Sequence, residues 1–157
     1  MGVGVITIRA FEPEDVAAAL VLEEANQFQP WTEGIFNDEL SAENRTYLVA
    51  EDGVLCGFGG VMLVGDEAHI TNLLVTPEHR GQGIGRRLMI RLIEAAIDEG
   101  ARHLTLEVRS ENEAARSLYS GLGLAPVGLR PGYYDDDDAL IMWAHDIGSA
   151  EYAERLR

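Results

Sequence analysis

The sequence predicts a single mixed α/β domain with the element order β-α-α-β-β-β-α-β-α-β-β. Three observations carry that reading. Two apolar runs flank the turn Asp52-Gly53 and form an early antiparallel hairpin. An apolar strand, Ile70 to Val75, runs through a proline into a glycine-alternating loop and a helix. Each of the two central helical stretches is followed by another strand, as in βαβ units. A chain of 157 residues suffices for one domain with a real core and is too short for two. The domain is expected over residues 1–147, with a polar tail over 148–157 that frays or forms a short helix.

Val5 to Arg9 alternates apolar and polar residues and reads as a strand. Pro13 stands where a helix can start, and Val16, Leu20 and Glu23-Glu24 continue it to Gln27, before Pro30. Trp31 to Leu40 predicts a second, short helix with Ile35, Phe36 and Leu40 on one side. Thr46 to Ala50 and Val54 to Val64 are the hairpin strands, and Gly57, Gly59 and Gly60 mark a bulge or a close backbone approach in the second. Ala68 to Val75 is the next strand. After the glycine loop, Ile84, Leu88, Leu92 and Ala96 recur at four-residue spacing, with Met89 and Ile93 beside them, until Gly100 ends the helix. His103 to Val108 is a strand. Ala115, Leu118, Tyr119 and Leu122 mark a helix whose start has the capping-box spacing Ser110-x-x-Glu113, and Gly123 ends it. Ala125 to Leu129 and Ala139 to His145 are the last strands, around a loop from Arg130 through Tyr133, Tyr134 and Asp135 to Asp138.

Composition narrows the function classes. With 46% hydrophobic and 25% charged residues the chain reads as an ordinary soluble globular protein. A formal net charge of -15 argues against holding nucleic acid on a basic surface. It fits either plain solubility or attraction of a cationic partner. No apolar run spans a bilayer and no basic stretch precedes an apolar one at the start, so no membrane or secretion role is expected. The one cysteine, Cys56, fits a reducing, cytoplasmic setting. The four histidines are scattered, with no metal-site spacing, and no metal is expected.

The most informative stretch is Arg80-Gly81-Gln82-Gly83-Ile84-Gly85, followed by Arg86-Arg87. A loop almost free of side chains at a helix start can converge its N–H groups on a phosphate. A Walker loop would end in Gly-Lys-Ser/Thr, and a dinucleotide loop needs a third glycine where Leu88 stands. A tight turn without ligand is the remaining alternative.

This loop resembles the acyl-CoA signature of the GNAT (Gcn5-related) N-acetyltransferases. The second half resembles the RimI branch, the ribosomal-protein alanine N-acetyltransferases. It carries Leu106-Glu107-Val108-Arg109, Asn112, Ala114-Ala115, Leu118-Tyr119, Leu122-Gly123-Leu124, Arg130-Pro131-Gly132-Tyr133-Tyr134 and Asp138 to Met142. Pro30-Trp31-Thr32 and Asn72 to Val75 agree with it. Leu124, where an aromatic is common, and the short all-aspartate loop depart from it. The resemblance implies the GNAT fold, a mixed, mostly antiparallel central sheet flanked by helices. It implies acetyl transfer from acetyl-CoA to the N-terminal amine of a protein substrate, by a monomer or weak dimer.

By that resemblance Glu107 is the general base, acting through a water, and Tyr119 the general acid. From position alone, Glu107 reads equally as a structural carboxylate paired with Arg109 or capping near Ser110, and Tyr119 as a core aromatic. Leu73, Leu74 and Val75 are expected to hold the thioester and pantetheine through backbone N–H groups, or else to pair as an ordinary sheet. Arg80, Gly81, Gln82, Gly83, Ile84, Gly85 and Arg86 are expected to hold the diphosphate, and of Arg86 and Arg87 only one can face it. Asn112 is either a further cofactor contact or a helix N-cap. Trp31, Tyr133 and Tyr134 wall the peptide groove or simply pack their loops. The run Asp135 to Asp138 attracts arginines of the substrate or is a solvated turn. A GNAT acting on a small amine or lysine, and a non-catalytic acyl-CoA-binding protein, are the alternatives.

Overall fold

In the computed structural model, which describes residues 5–27, 29–134 and 136–157, β1 (Thr7–Ala10) leads through a 3-10 turn at Pro13–Asp15 into α1 (Val16–Asn26) and then α2 (Glu33–Ser41). β2 (Arg45–Glu51), β3 (Leu55–Val64) and β4 (Glu67–Val75) follow, then a 3-10 turn at Pro77–His79 and α3 (Ile84–Asp98). β5 (His103–Arg109), α4 (Glu113–Gly121), β6 (Ala125–Tyr134), β7 (Asp137–His145) and α5 (Ala150–Arg155) complete the chain. This is the expected order with one helix added at the end. The seven strands form one sheet in the order β1-β2-β3-β4-β5-β7-β6. β1 runs antiparallel to β2 and β7 antiparallel to both β5 and β6, while β4 and β5 are parallel over Glu67↔His103 to His69↔Thr105.

The chain divides into two compact units, one up to Val61 together with Asn72–Leu92, the other Met62–Thr71 together with Ile93–Arg157. The core of the first is aromatic. Phe11, Phe36, Tyr47 and Phe58 pack with Val16, Ala19, Val49 and Leu74, and Trp31 leans edge-on against Phe36 at 5.3 Å. Gly60 lies where a Cβ would stand 2.0 Å from the Tyr47 ring, so the close approach expected of this glycine-rich strand is made by a side chain of β2. α2 begins at Glu33, two residues later than expected, because the Thr32 hydroxyl accepts from Ile35 N (3.2 Å) as an N-cap.

In the second unit Leu104, Leu106 and Val108 of β5 are buried, as are Leu122, Met142 and Ile147. The tail from Gly148 is docked. α5 buries Tyr152, whose hydroxyl donates to Leu122 O at 2.6 Å. α3 buries Ile84, Leu88, Leu92 and Ala96 together with Met89 and Ile93, the two rows its spacing predicts. Among the described residues no helix is long and apolar enough to cross a membrane.

Two expectations are corrected. The stretch after Leu129 is strand rather than loop: β6 continues to Tyr134 and β7 starts at Asp137. β6 lies at the sheet edge, where Pro126 and Pro131 need no ladder partner on their open side. The capping box at Ser110 is absent. Asn112 caps α4 instead, and the Ser110 hydroxyl donates to Asp137 Oδ1 (2.6 Å).

Candidate functional site

In the first unit the site is made of bare backbone. Thr76 N donates to Cys56 O (2.9 Å), which sets the side of β4 that faces β3. Cβ atoms built on Gly57 and Gly59 would stand 2.9 Å from Leu74 O and 3.3 Å from Asn72 O, so these two carbonyls turn to the same side. Backbone groups alternate along a strand, which puts the N–H groups of Leu73 and Val75 on the opposite edge and takes Leu74 into the sheet. On that opposite edge Val75 O accepts from Arg80 Nε (3.1 Å) rather than from a strand.

The chain then turns at Gly81 (φ 79°) and Gly83 (φ 80°), in the left-handed region that a residue with a Cβ avoids. Neither glycine has an atom within 4 Å of where its Cβ would be. Arg87 N donates to Gly83 O (3.0 Å), the first bond of α3. Among the described residues the N–H groups of Gly81, Gln82, Gly83, Ile84 and Gly85 have no backbone acceptor. Five donors beside a helix start make a cradle for an anion, and the missing side chains leave room for one. Of the paired arginines, Arg87 reaches Ile6 O (3.2 Å).

Trp31 is half-buried against Phe36 and Tyr47, and its backbone N–H donates to Glu23 Oε2 at 2.7 Å.

In the second unit the site is a carboxylate among tyrosines and arginines. Glu107 lies on β5 paired with Ile141. Its Oε1 stands 3.6 Å from Arg130 Nη2, and its Oε2 is buried without a hydrogen-bond partner among the described residues. Arg109 is not its partner: it forms an ion pair with Asp136 and lies 4.4 Å over the Tyr134 ring. Tyr133 and Tyr134 meet edge to face at 5.1 Å, and Arg130 covers Tyr133. The charge on Glu107, ahead of burial, pushes the Tyr133 phenol up; burial first and then Glu107 do the same to Tyr134.

Tyr119 on α4 is buried, and that burial pushes its phenol up to about 12. Its hydroxyl has no partner among the described residues. Glu107 Oε2 is the one sealed polar side-chain atom left unpaired there, so the Tyr119 hydroxyl keeps a path outward. Asn112 Oδ1 accepts from Ala115 N (3.1 Å), which makes the N-cap role real.

Asp136, Asp137 and Asp138 are held by partners within their own unit. Asp137 accepts from Ser110 Oγ and from Glu111 N, Asp138 accepts from Gly132 N (2.7 Å), and Asp136 pairs with Arg109; Asp135 lies outside the described residues.

Residues 8–124 match the family model described as Acetyltransferase (GNAT) family. The chain belongs to the GNAT acetyltransferases. This acetyltransferase is 42% identical over 141 residues to a Bacillus subtilis (strain 168) protein named putative ribosomal protein bS18-alanine N-acetyltransferase, covering 87% of this chain and 93% of that one. It is 36% identical over 137 residues to the N-alpha-acetyltransferase RimI of Mycobacterium tuberculosis, covering 82% and 84%. The crystal structure of the ribosomal-protein-S18-alanine N-acetyltransferase from Escherichia coli matches with a TM-score of 0.82 at 33% identity, covering 90% of this chain and 94% of that one. The RimI resemblance of the second half therefore extends over most of the chain, and the mixed, mostly antiparallel sheet flanked by helices matches the GNAT fold.

Three features of the GNAT chain escape a reading of motifs. Arg130 stands closer to Glu107 than Arg109 does, because β6 runs on past Leu129. Asp136, Asp137 and Asp138 pair within their own unit. Glu23 was readable only as part of a polar pair, yet it falls on the stripe Val16, Ala19, Glu23 and is buried.

Proposed function

We propose that this acetyltransferase moves acetyl from acetyl-CoA to the N-terminal α-amine of a protein, an alanine terminus of a small-subunit ribosomal protein. One observation carries the chemical half of this reading: Glu107 Oε2, a carboxylate oxygen held dry without a donor, beside two tyrosines. A group in that state receives a proton from a donor that arrives with the substrate. The substrate half rests on the ribosomal-protein alanine acetyltransferases to which the chain is similar over most of its length.

Bound acetyl-CoA supplies an activated thioester. The N–H groups of Gly81 to Gly85, with Arg80 and Arg86, hold the diphosphate; Leu73 and Val75 offer their N–H groups to the thioester and pantetheine, and Asn112 adds an amide contact. Trp31, Tyr133 and Tyr134 wall the acceptor peptide. Glu107 takes the amine proton through a water as the lone pair attacks the carbonyl carbon. Tyr119 gives its proton to sulfur as the C–S bond breaks, and the phenol is recharged from solvent. A backbone α-amine has a pKa of about 7.7–8.0 against about 10.4 for lysine, so a single carboxylate suffices for a terminal amine. The site of such work is the cytoplasm, where nascent ribosomal proteins are.

The test is acetyl-CoA with peptides beginning Ala, Ser and Met and one with only an internal lysine, read by mass spectrometry. Label on the terminal alanine is expected. Label confined to lysine, or none with any peptide, overturns the reading.

A further inference from the structure

Glu23 is a carboxylate at 1% exposure that the chemistry above does not use. Its two oxygens are both occupied. Oε2 accepts from the backbone N–H of Trp31 (2.7 Å), and Oε1 accepts from Asn72 Nδ2 (3.0 Å). Asn72 Oδ1 in turn accepts from Gln27 Nε2 (3.4 Å). Neither donor is a cation, so the carboxylate is held by amides alone. An apolar side chain would fill this position on the buried stripe of α1 without the cost of dehydrating a carboxylate. What an apolar residue could not do is accept from two separate elements at once.

Those two elements are the ones the acceptor site needs. Trp31 is in the connection between α1 and α2, outside either helix. Asn72 is the β4 residue just before Leu73, whose N–H lies on the open edge of the strand. By accepting from both at once, Glu23 ties the connection to β4, and it cannot tilt away without breaking one of the two bonds.

We propose that Glu23 is a positioning residue, a buried clamp that fixes the Trp31 segment to β4 and so holds in place the wall that Trp31 gives the acceptor peptide. This rests on Trp31 walling the peptide groove. It acts on acceptor binding, so truncating it raises KM for the peptide and leaves kcat at saturating peptide and acetyl-CoA affinity near wild type.

The test compares Glu23→Leu, Glu23→Gln and Asn72→Ala. Leucine fills the volume and accepts nothing. Glutamine can accept from Trp31 N and donate to Asn72, whose amide turns over and is followed by that of Gln27. The peptide KM is expected to rise about tenfold or more in Glu23→Leu, by less in Asn72→Ala, and hardly at all in Glu23→Gln. In a Trp143→Phe background, which leaves Trp31 as the sole indole, acrylamide quenching of Trp31 is expected to rise in the same order.

Unchanged quenching and unchanged peptide KM in folded Glu23→Leu overturn the clamp. If Glu23→Leu does not fold, Asn72→Ala decides alone, and wild-type values there overturn it. If the wild-type protein acetylates no alanine-starting peptide, the reading of the substrate falls, while the quenching order still judges the clamp.

Discussion

The roles proposed for Glu107 and Tyr119 make opposite demands on their surroundings, and the surroundings of each side chain suit the role proposed for it. The base needs an oxygen free to accept; Oε2 of Glu107 has no partner among the described residues. The acid must stay protonated; burial holds Tyr119 at about 12. Glu107→Gln and Tyr119→Phe are each expected to lower turnover on an alanine-starting peptide by on the order of 10²-fold, measured at saturating acetyl-CoA. Unchanged turnover in both would remove them from the reaction. The pH profile separates the two roles. Tyr119 remains a donor until the pH approaches 12, so it gives no falling limb across neutral or mildly alkaline pH, and activity follows deprotonation of the substrate amine upward. The partner of Glu107 could not be read from residue order. Arg109 is two residues away along the strand and shares its face, yet Asp136 and the Tyr134 ring take it, and Arg130 comes from another strand.

At the scale of elements, the turn at the glycine loop was legible, because Gly81 and Gly83 take left-handed φ values that side chains avoid, and the cradle proposed there depends on the absence of side chains. Gly83→Ala tests that. Nothing stands within 4 Å of the new Cβ, so the free protein loses only about 1–2 kcal/mol for an alanine at φ 80°. If the diphosphate lies against the loop as proposed, the methyl group crowds it, and acetyl-CoA affinity by calorimetry is expected to fall about tenfold or more. An unchanged affinity would move the diphosphate elsewhere. The β6–β7 hairpin was the least legible element. Pro131 and Gly132 punctuate sequences as loops. An edge strand tolerates both, and Asp138 satisfies the Gly132 N–H that a neighbouring strand would otherwise take. Ser110 misled for the same reason: its hydroxyl was spoken for by Asp137, a residue far away in the chain. Local signals survive where the partner is local, as at Asn112, and fail where a distant side chain competes.

At the scale of the whole molecule, the apolar pattern told which residues of α3 and β5 are buried, whereas Ile35 of α2 is exposed, and it is the buried polar groups that give the fold its pH response. Tyr119 and Tyr152 are both held at about 12, each mainly by burial. Both values exceed the ordinary phenol value of about 10, so the folded state favours the neutral form. Below pH 10 the phenols are neutral folded or unfolded, and the stability is fully present. As the pH rises from 10 to 12 the unfolded chain ionises first and is favoured, so stability falls through that window. For Tyr119 the loss is on the order of 2 kcal/mol. Urea midpoints are therefore expected to be flat from pH 7 to about 9.5 and to drop steeply above. Tyr152→Phe also removes the bond to Leu122 O, so it starts about 1 kcal/mol lower at pH 7 and falls less steeply above pH 10. Self-repulsion in a chain of net charge -15 would act in the same direction. It is screened by salt, whereas dehydration of a buried phenol is not. The alkaline drop is expected to persist in about 1 M salt, and a drop that vanishes there, or one equally steep in Tyr152→Phe, would assign it to repulsion instead.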